Sequence, residues 1–178
     1  ELQVARSTLN IAVIGWGSLV WDPRDLGIEP EWRQDGPLLP IEFARFSVGE
    51  RLTLVLVEGA PLQRTLWTLS RRPTLETARS DLRVRERTRS ANIDSWSRQN
   101  DVYALSEIQS SIDDWLQSKR LDFAVWTALR PNNLERGTGL ATEQQRMCYL
   151  EGLIAGGKAR AAREYFEKAP PQIDTPFR

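Results

Sequence analysis

Apolar and polar residues along the chain follow a pattern that predicts several strands before the first long helix. Residues 11–15 are continuously apolar and end at a glycine, which is typical of a buried strand. Residues 41–48, 51–58 and 63–69 alternate as half-buried strands do, and Gly49-Glu50 between the first two indicates a two-residue hairpin turn. The short links between these strands predict an antiparallel meander.

Helical patterns follow in the second half of the chain. Thr74 can cap a helix that runs to about Glu86, and capping-box patterns begin helices at Ser106 and Thr142. Residues 158–169 predict a last helix, which ends at a pair of prolines. A run of strands followed by helices favours the α+β class.

The domain organisation is predicted to be simple. The chain shows no internal repeat, low-complexity tract or linker, so we expect one domain over residues 1–178. Residues 1–10 are expected to form an N-terminal extension and residues 170–178 a C-terminal tail. Residues 21–40 are rich in proline and glycine and predict a long irregular connection, whereas residues 121–129 predict one more strand.

The absence of histidine narrows the chemistry more than any other feature of the composition. With no imidazole and one cysteine, the chain has no Ser-His-Asp triad, no Cys-His pair and no histidine-containing metal site. Acid–base chemistry must therefore use carboxylates, lysine, tyrosine or backbone dipoles. Cys148 falls within a helical pattern, where we expect it to be a small buried residue.

Charge and hydropathy argue against two classes of partner. The chain has 24 basic and 24 acidic residues, so no overall field favours nucleic acid or an anionic membrane. No apolar run approaches the ~20 residues that span a bilayer, and the first residues show no signal-peptide pattern. A single cysteine fits a reducing compartment. We therefore expect a cytoplasmic protein that binds neither nucleic acid nor membrane.

The first predicted strand leads into a segment called the glycine loop below, which consists of Gly15, Trp16, Gly17, Ser18 and Leu19. Paired glycines can open a dinucleotide-binding unit, but Val20 stands where that fingerprint has its third glycine, and Pro23 disfavours an immediate long helix. Glycines also let backbone N–H groups approach a ligand carboxylate or carbonyl, and Ser18 adds a hydroxyl. The structural alternative is a tight turn beneath a tryptophan-rich core.

One carboxylate falls on the apolar face of the helix predicted after Thr74. Leu75, Ala78, Leu82 and Glu86 are spaced three, four and four residues apart, so they share one side of the helix. This spacing predicts that Glu86 lies at the mouth of the core, where a carboxylate could move protons. The alternative is a surface glutamate within an Arg-Glu-Arg cluster.

Other side chains are weaker candidates for the site. Arg45 and Ser47 lie two apart on a predicted strand and should face the same side, where the guanidinium could bind a substrate carboxylate. Such an arginine can equally be an exposed strand residue or half of a structural ion pair. Tyr103 could supply a hydroxyl, although nothing in its spacing supports that role.

The glycine loop after a first strand resembles the glycine-serine loop of the gamma-glutamylcyclotransferase-like superfamily, whose members often have an aromatic residue between the glycines. Further short similarities lie at residues 43–45, 51–56, 82–86 and 125–127, and the segment 169–175 resembles a bacterial subset of the family. The resemblance implies a small mixed or antiparallel β-barrel flanked by helices. It also implies release of 5-oxoproline from γ-glutamyl compounds without a metal or an organic cofactor.

The resemblance assigns roles to particular residues. Glu86 matches the catalytic acid–base glutamate of the family, and the glycine loop matches its substrate cradle. The α-amine of the substrate attacks its own γ-carbonyl, so no activated serine or cysteine is needed. We expect the substrate to be a small γ-glutamyl amine or γ-glutamyl amino acid. Arg87 departs from the family pattern, in which a glycine usually follows the glutamate.

Two functions outside catalysis remain open. Arg87 favours a module that binds a γ-glutamyl-like or other small ligand without turning it over. The seven tryptophans favour a protein-interaction module if they form an exposed patch. The sequence leaves the leaving amine and the oligomeric state undetermined.

Overall fold

The structure of the protein is a computed structural model that describes residues 9–98, 105–134, 137 and 139–178. Most of the expected N-terminal extension, residues 1–8, lies outside the described residues, as does Tyr103. The fold is α+β, as predicted. The strands are β1 (Ile11–Gly15), β2 (Leu38–Ser47), β3 (Arg51–Leu56), β4 (Leu62–Arg64), β5 (Leu66–Leu69), β6 (Ile93–Ser97) and β7 (Phe123–Thr127). The helices are α1 (Leu75–Glu86), α2 (Glu107–Lys119), α3 (Glu143–Ala155) and α4 (Arg160–Lys168).

β1 lies inside a four-stranded mixed sheet with the order β5-β1-β7-β6. It pairs antiparallel with β5 and parallel with β7, and β7 pairs antiparallel with β6. Ala12 and Ile14 face the main core, whereas Ile11 and Val13 pack with apolar residues of α1 on the other face. Because both faces of the strand are buried, its sequence is apolar throughout.

β2 is the central strand of a second sheet, which is antiparallel and has the order β3-β2-β4. The predicted hairpin is confirmed, and Gly49 and Glu50 both have positive φ (86° and 60°), as a two-residue turn of this kind requires. The simple meander is wrong, because β4 pairs with β2 instead of β3. The predicted strand at residues 63–69 divides at Thr65, whose N–H and hydroxyl both donate to the carbonyl of Pro37, and β5 then joins the other sheet.

The strands of the described residues form two sheets, and their pairing does not close a barrel. The β-barrel therefore stays a prediction. β6 is absent from the sequence prediction because its five residues, Ile93–Ser97, include two serines and an aspartate, and only two of them are buried. The edge position of β6 explains how a strand can be this polar.

The first three helices begin where the sequence predicts, and α4 begins at Arg160, two residues after the predicted start. The side chains of Thr74, Ser106 and Thr142 each accept a hydrogen bond from the backbone N–H three residues later, and each belongs to a reciprocal capping box. Within the described ranges, no helix combines the length and the apolar character needed to cross a membrane.

Cys148 lies in α3, as predicted, but the expectation that it is buried is wrong, because its side chain is exposed. The reason is the position of α3 at the surface of the fold. Only Arg146 and Leu153 of this helix are buried, and Cys148 lies on the opposite side.

The predicted C-terminal tail is held firmly against the rest of the protein. Ile173 is fully buried in the main core. The amide of Gln172 donates to the carbonyls of Arg64 and Thr65, at 2.7 and 3.2 Å. The guanidinium of Arg178 donates to carbonyls at the end of α4 and in the tail itself. The tail therefore fixes α4, which carries part of the candidate site.

Candidate functional site

A cavity of about 510 Å³ lies where β1 and β7 end, beside the C-terminal end of α1. β1 and β7 are parallel, and ligands commonly bind beyond the carboxyl ends of parallel strands. The predicted site residues that line it are Gly15, Trp16, Gly17, Ser18, Leu19 and Glu86. The structure thus brings the glycine loop and the predicted acid to the same cavity.

The two glycines are needed because other side chains approach their α-carbons closely. A β-carbon at position 15 would lie 2.8 Å from the ring of Trp32, and one at position 17 would lie 2.5 Å from the hydroxyl of Tyr165. The loop then forms a turn in which the N–H of Val20 donates to the carbonyl of Gly17 at 3.0 Å. No long helix follows β1, so the glycines serve close packing and not a dinucleotide fold.

The glycine loop also offers backbone donors to the cavity. Among the described residues, neither the N–H of Gly17 nor that of Leu19 donates to another backbone group. The loop is held in place by the indole N–H of Trp16, which donates to the carbonyl of Leu54 in β3 at 3.3 Å. A ligand oxygen that reaches these two N–H groups would accept hydrogen bonds that no other backbone group of the described residues takes.

Glu86 ends α1 and points into the cavity. Ala78 and Leu82, which share its face of the helix, are buried, and the side chain of Glu86 is 15% exposed. The carboxylate is therefore mostly removed from solvent but open to a ligand in the cavity. Its Oε1 accepts a hydrogen bond from Nη1 of Arg85 at 2.9 Å.

Arg85 links this carboxylate to the glycine loop. Its side chain is only 4% exposed. Besides the bond to Glu86, its Nε donates to the carbonyl of Asp22 at 3.1 Å, and its Nη2 lies 3.4 Å from Oγ of Ser18. The backbone carbonyl of Arg85 in turn accepts a hydrogen bond from Nη1 of Arg24 at 2.9 Å. Arg85 thus connects the carboxylate of Glu86 with the glycine loop and with the segment that follows it.

Tyr165 on α4 contributes a hydroxyl that the sequence does not predict. Its oxygen accepts a hydrogen bond from the backbone N–H of Leu54 at 3.2 Å and lies beside the glycine loop. Burial raises the pKa of Tyr165 to about 12, the charge of Glu86 acts in the same direction, and the backbone N–H groups of Leu54 and Ser18 oppose both. The hydroxyl therefore stays protonated near neutral pH and can donate to a ligand.

The raised pKa of Tyr165 predicts a loss of stability in alkaline solution. An unfolded tyrosine ionises near pH 10.0, whereas this one ionises near 12. Between those values the unfolded state loses its proton first, so the free energy of unfolding should fall by up to about 3 kcal/mol as the pH rises. Urea unfolding between pH 9 and pH 12 measures this fall. The Tyr165→Phe variant should lack the part of this fall that comes from the tyrosine. An identical pH dependence of stability in both proteins would contradict the raised pKa of Tyr165.

The close approach of Tyr165 to Gly17 predicts a coupled pair of substitutions. Gly17→Ala should lower the free energy of unfolding by about 1–3 kcal/mol, because the tyrosine ring is packed against Trp21 and Phe43 and has little room to move. In the Tyr165→Phe background the hydroxyl is gone and the next ring atom is 3.7 Å away, so the cost should shrink. Urea unfolding of the four proteins measures the coupling, and additive effects would contradict the packing argument.

Arg45 is the predicted site residue that the structure does not bring to the others. It is not among the described residues that line the cavity, although Ser47, two residues later, is. Arg45 and Ser47 pair with Thr53 and Arg51 in regular alternation, as residues on one side of a strand do. The guanidinium of Arg45 is nevertheless held elsewhere, because its Nη1 donates to the carbonyl of Arg130 at 2.7 Å. Its contact in this structure is with a loop of the protein itself.

Thr127 is a second polar residue of the site that the sequence does not identify. It ends β7 and lines the cavity. Its hydroxyl oxygen is buried, and within the described part of the chain it has no hydrogen-bond partner. Buried polar groups are normally paired, so this hydroxyl is suited to meet a polar ligand.

Comparisons with models of protein families, with curated proteins and with solved structures found no significant match to this chain.

Proposed function

We propose that the protein releases 5-oxoproline from a small γ-glutamyl compound, with Glu86 as acid–base catalyst and the glycine loop as substrate cradle. One observation carries the proposal: Glu86 and the glycine loop line the same cavity, although they lie far apart in the sequence. The chemistry is that of the gamma-glutamylcyclotransferase-like superfamily, which the chain resembles in its short motifs. The expected place of the reaction is the cytoplasm.

The reaction places few demands on the protein. The α-amine of the substrate attacks the γ-carbonyl, a C–N bond closes the five-membered ring, and the γ-amide C–N bond breaks. The α-nitrogen gives up two protons, one from the ammonium before the attack and one as the ring closes, and the leaving nitrogen gains both and departs as an ammonium. The carboxylate of Glu86 carries these protons one at a time. Backbone N–H groups of Gly17 and Leu19 are suited to the oxyanion or the α-carboxylate, because they have no other backbone acceptor among the described residues. The protonated hydroxyl of Tyr165 is a further donor.

The residue after the acid has a backbone conformation that explains the family pattern. Arg87 lies in the left-handed region, with φ 50° and ψ 45°, where glycine is favoured. The glycine of the family is compatible with the same helix end, so the arginine changes the charge beside the cavity without requiring a different fold. Arg87 itself lines the cavity and is exposed.

A non-catalytic ligand-binding protein is the alternative, and the ion pair between Arg85 and Glu86 favours it. A carboxylate whose oxygen stays hydrogen-bonded to a guanidinium is less available to accept a proton from a substrate. Saturable binding of γ-glutamyl compounds without any turnover would identify this function. The tryptophans give little support to an interaction module, because five of the seven are buried and Trp21 and Trp32 are half-buried.

The experiment is an assay for the released ring. The purified protein is incubated with γ-glutamyl ethylamide, γ-glutamylalanine and γ-glutamylglutamate, and 5-oxoproline is quantified by mass spectrometry. We expect release above the uncatalysed rate from at least one of them, and none above that rate with Glu86→Gln. Glu76→Gln, which changes an exposed glutamate in the first turn of the same helix, is the matched control and should keep the activity. Equal background release by all three proteins would overturn the proposal.

A further inference from the structure

The cavity carries an excess of positive charge. Among the described residues, its charged lining consists of four guanidinium groups and one carboxylate, namely Arg24, Arg51, Arg85, Arg87 and Glu86. A protein with equal numbers of acidic and basic residues has no general reason to collect arginines at one cavity. The local charge therefore bears on what the cavity binds.

Two of the four arginines lie beside a carboxylate. Arg85 forms its ion pair with Glu86 at 2.9 Å. Arg24 lies 3.5 Å from a carboxylate oxygen of Asp22, and its Nη1 is engaged with a backbone carbonyl. A carboxylate therefore offsets part of the charge of each of these two guanidinium groups.

Arg51 and Arg87 differ from the other two arginines because neither has a carboxylate partner among the described residues. Arg51 donates to the carbonyl of Val48 at 3.2 Å, and within the described ranges neither arginine lies in an ion pair. Glu164 interacts electrostatically with Arg51, but its carboxylate is bound to Lys168 at 2.6 Å. The cavity therefore presents about two uncompensated positive charges to its ligand.

The γ-glutamyl part of a substrate does not use these charges. Its α-ammonium and α-carboxylate cancel each other, and the first is suited to Glu86 and the second to the backbone donors of the glycine loop. An amine leaving group would then bring no further charge, whereas an amino acid brings one carboxylate and an acidic amino acid brings two. An acidic amino acid, with its two carboxylates, is therefore the leaving group that matches two free guanidinium groups.

We propose that the cavity selects γ-glutamyl compounds whose leaving amine carries carboxylates, with Arg51 and Arg87 as the specificity-determining residues. The inference rests on the proposed function and narrows its substrate class from amines and amino acids to acidic amino acids. Each carboxylate that gains a guanidinium partner forms a charge-assisted hydrogen bond, which corresponds to about a tenfold gain. The order of preference is γ-glutamylglutamate, then γ-glutamylalanine, then γ-glutamyl ethylamide.

The test compares these three compounds with wild type and with Arg51→Gln, Arg87→Gln and Arg89→Gln. Arg89 is exposed, follows Arg87 by two residues and is not among the described lining residues, so its variant is the matched control. We expect kcat/KM to rise about tenfold for each added carboxylate. This increase in kcat/KM should be smaller in Arg51→Gln and in Arg87→Gln, and it should be unchanged in Arg89→Gln. Higher salt should reduce the preference, because partly exposed charges are screened.

Equilibrium binding of the same compounds to the Glu86→Gln variant separates the two proposals. Release of 5-oxoproline with no dependence on the charge of the leaving group, or with the opposite order, overturns this inference and leaves the proposed function standing. Absence of release together with binding in the expected order overturns the proposed function and supports the ligand class. Absence of both release and binding overturns both.

Discussion

Glu86→Gln is expected to lower kcat for 5-oxoproline release by about 10²- to 10⁴-fold, the usual contribution of a positioned acid–base group. The amide cannot take the proton from the α-ammonium, but its oxygen can still accept the hydrogen bond from Arg85. The substitution should therefore change kcat much more than KM. Steady-state kinetics on the best substrate measures both constants.

Two observations would contradict this assignment of Glu86. Activity of the glutamine variant within about threefold of wild type would exclude it as the proton carrier, since general acid–base catalysis contributes far more than that. Equal loss of activity in Glu76→Gln would indicate that the damage is to α1 as a whole. Far-ultraviolet circular dichroism of both variants shows whether the helix content is kept.

The second large effect is expected from Arg85→Met. The methionine keeps much of the volume but removes the donors to Glu86, the carbonyl of Asp22 and the hydroxyl of Ser18. Breaking a buried ion pair from one side costs ~3–5 kcal/mol, and because Glu86 is 15% exposed we expect a loss of about 3 kcal/mol in the free energy of unfolding. Urea unfolding measures it, with Arg83→Met on the same helix as control, because Arg83 is not among the described lining residues.

Kinetics distinguish positioning from a purely structural role for Arg85. If it holds the carboxylate against the glycine loop, Arg85→Lys should recover part of kcat, because lysine restores a positive charge beside Glu86 but not the full set of donors. A structural role alone predicts that stability falls while kcat of the folded fraction is unchanged. That second result would contradict the positioning role.

Local signals in the sequence predict much of this fold because they act over a few residues. A glycine after an apolar run predicts the end of β1, and a hydroxyl residue three positions before its partner predicts the start of each capped helix. The helical spacing of Ala78, Leu82 and Glu86 predicts which way the acid points. These features depend on the backbone geometry of a few neighbouring residues, which the local sequence determines.

The residues that the sequence does not predict depend on contacts between distant segments. Tyr165 reaches the site only because α4 packs against β3, and nothing in its spacing indicates that. Arg85 precedes Glu86 by one residue on α1, so a helical projection separates the two side chains. They meet because α1 ends there and the long guanidinium can turn towards the loop. Strand alternation does hold between Arg45 and Ser47, but it does not show that the guanidinium of Arg45 would be taken by the carbonyl of Arg130, 85 positions away.

The contact between Tyr165 and Leu54 spans 111 positions, and the same hydroxyl touches a loop that is made still earlier. During synthesis the ribosome releases that loop long before the segment that completes its surroundings. A nascent chain that stops short of α4 has the glycines and the acid but lacks the buried phenol that helps to shape the space between them. The cavity therefore takes its full shape only once α4 has been synthesised and has packed against β3.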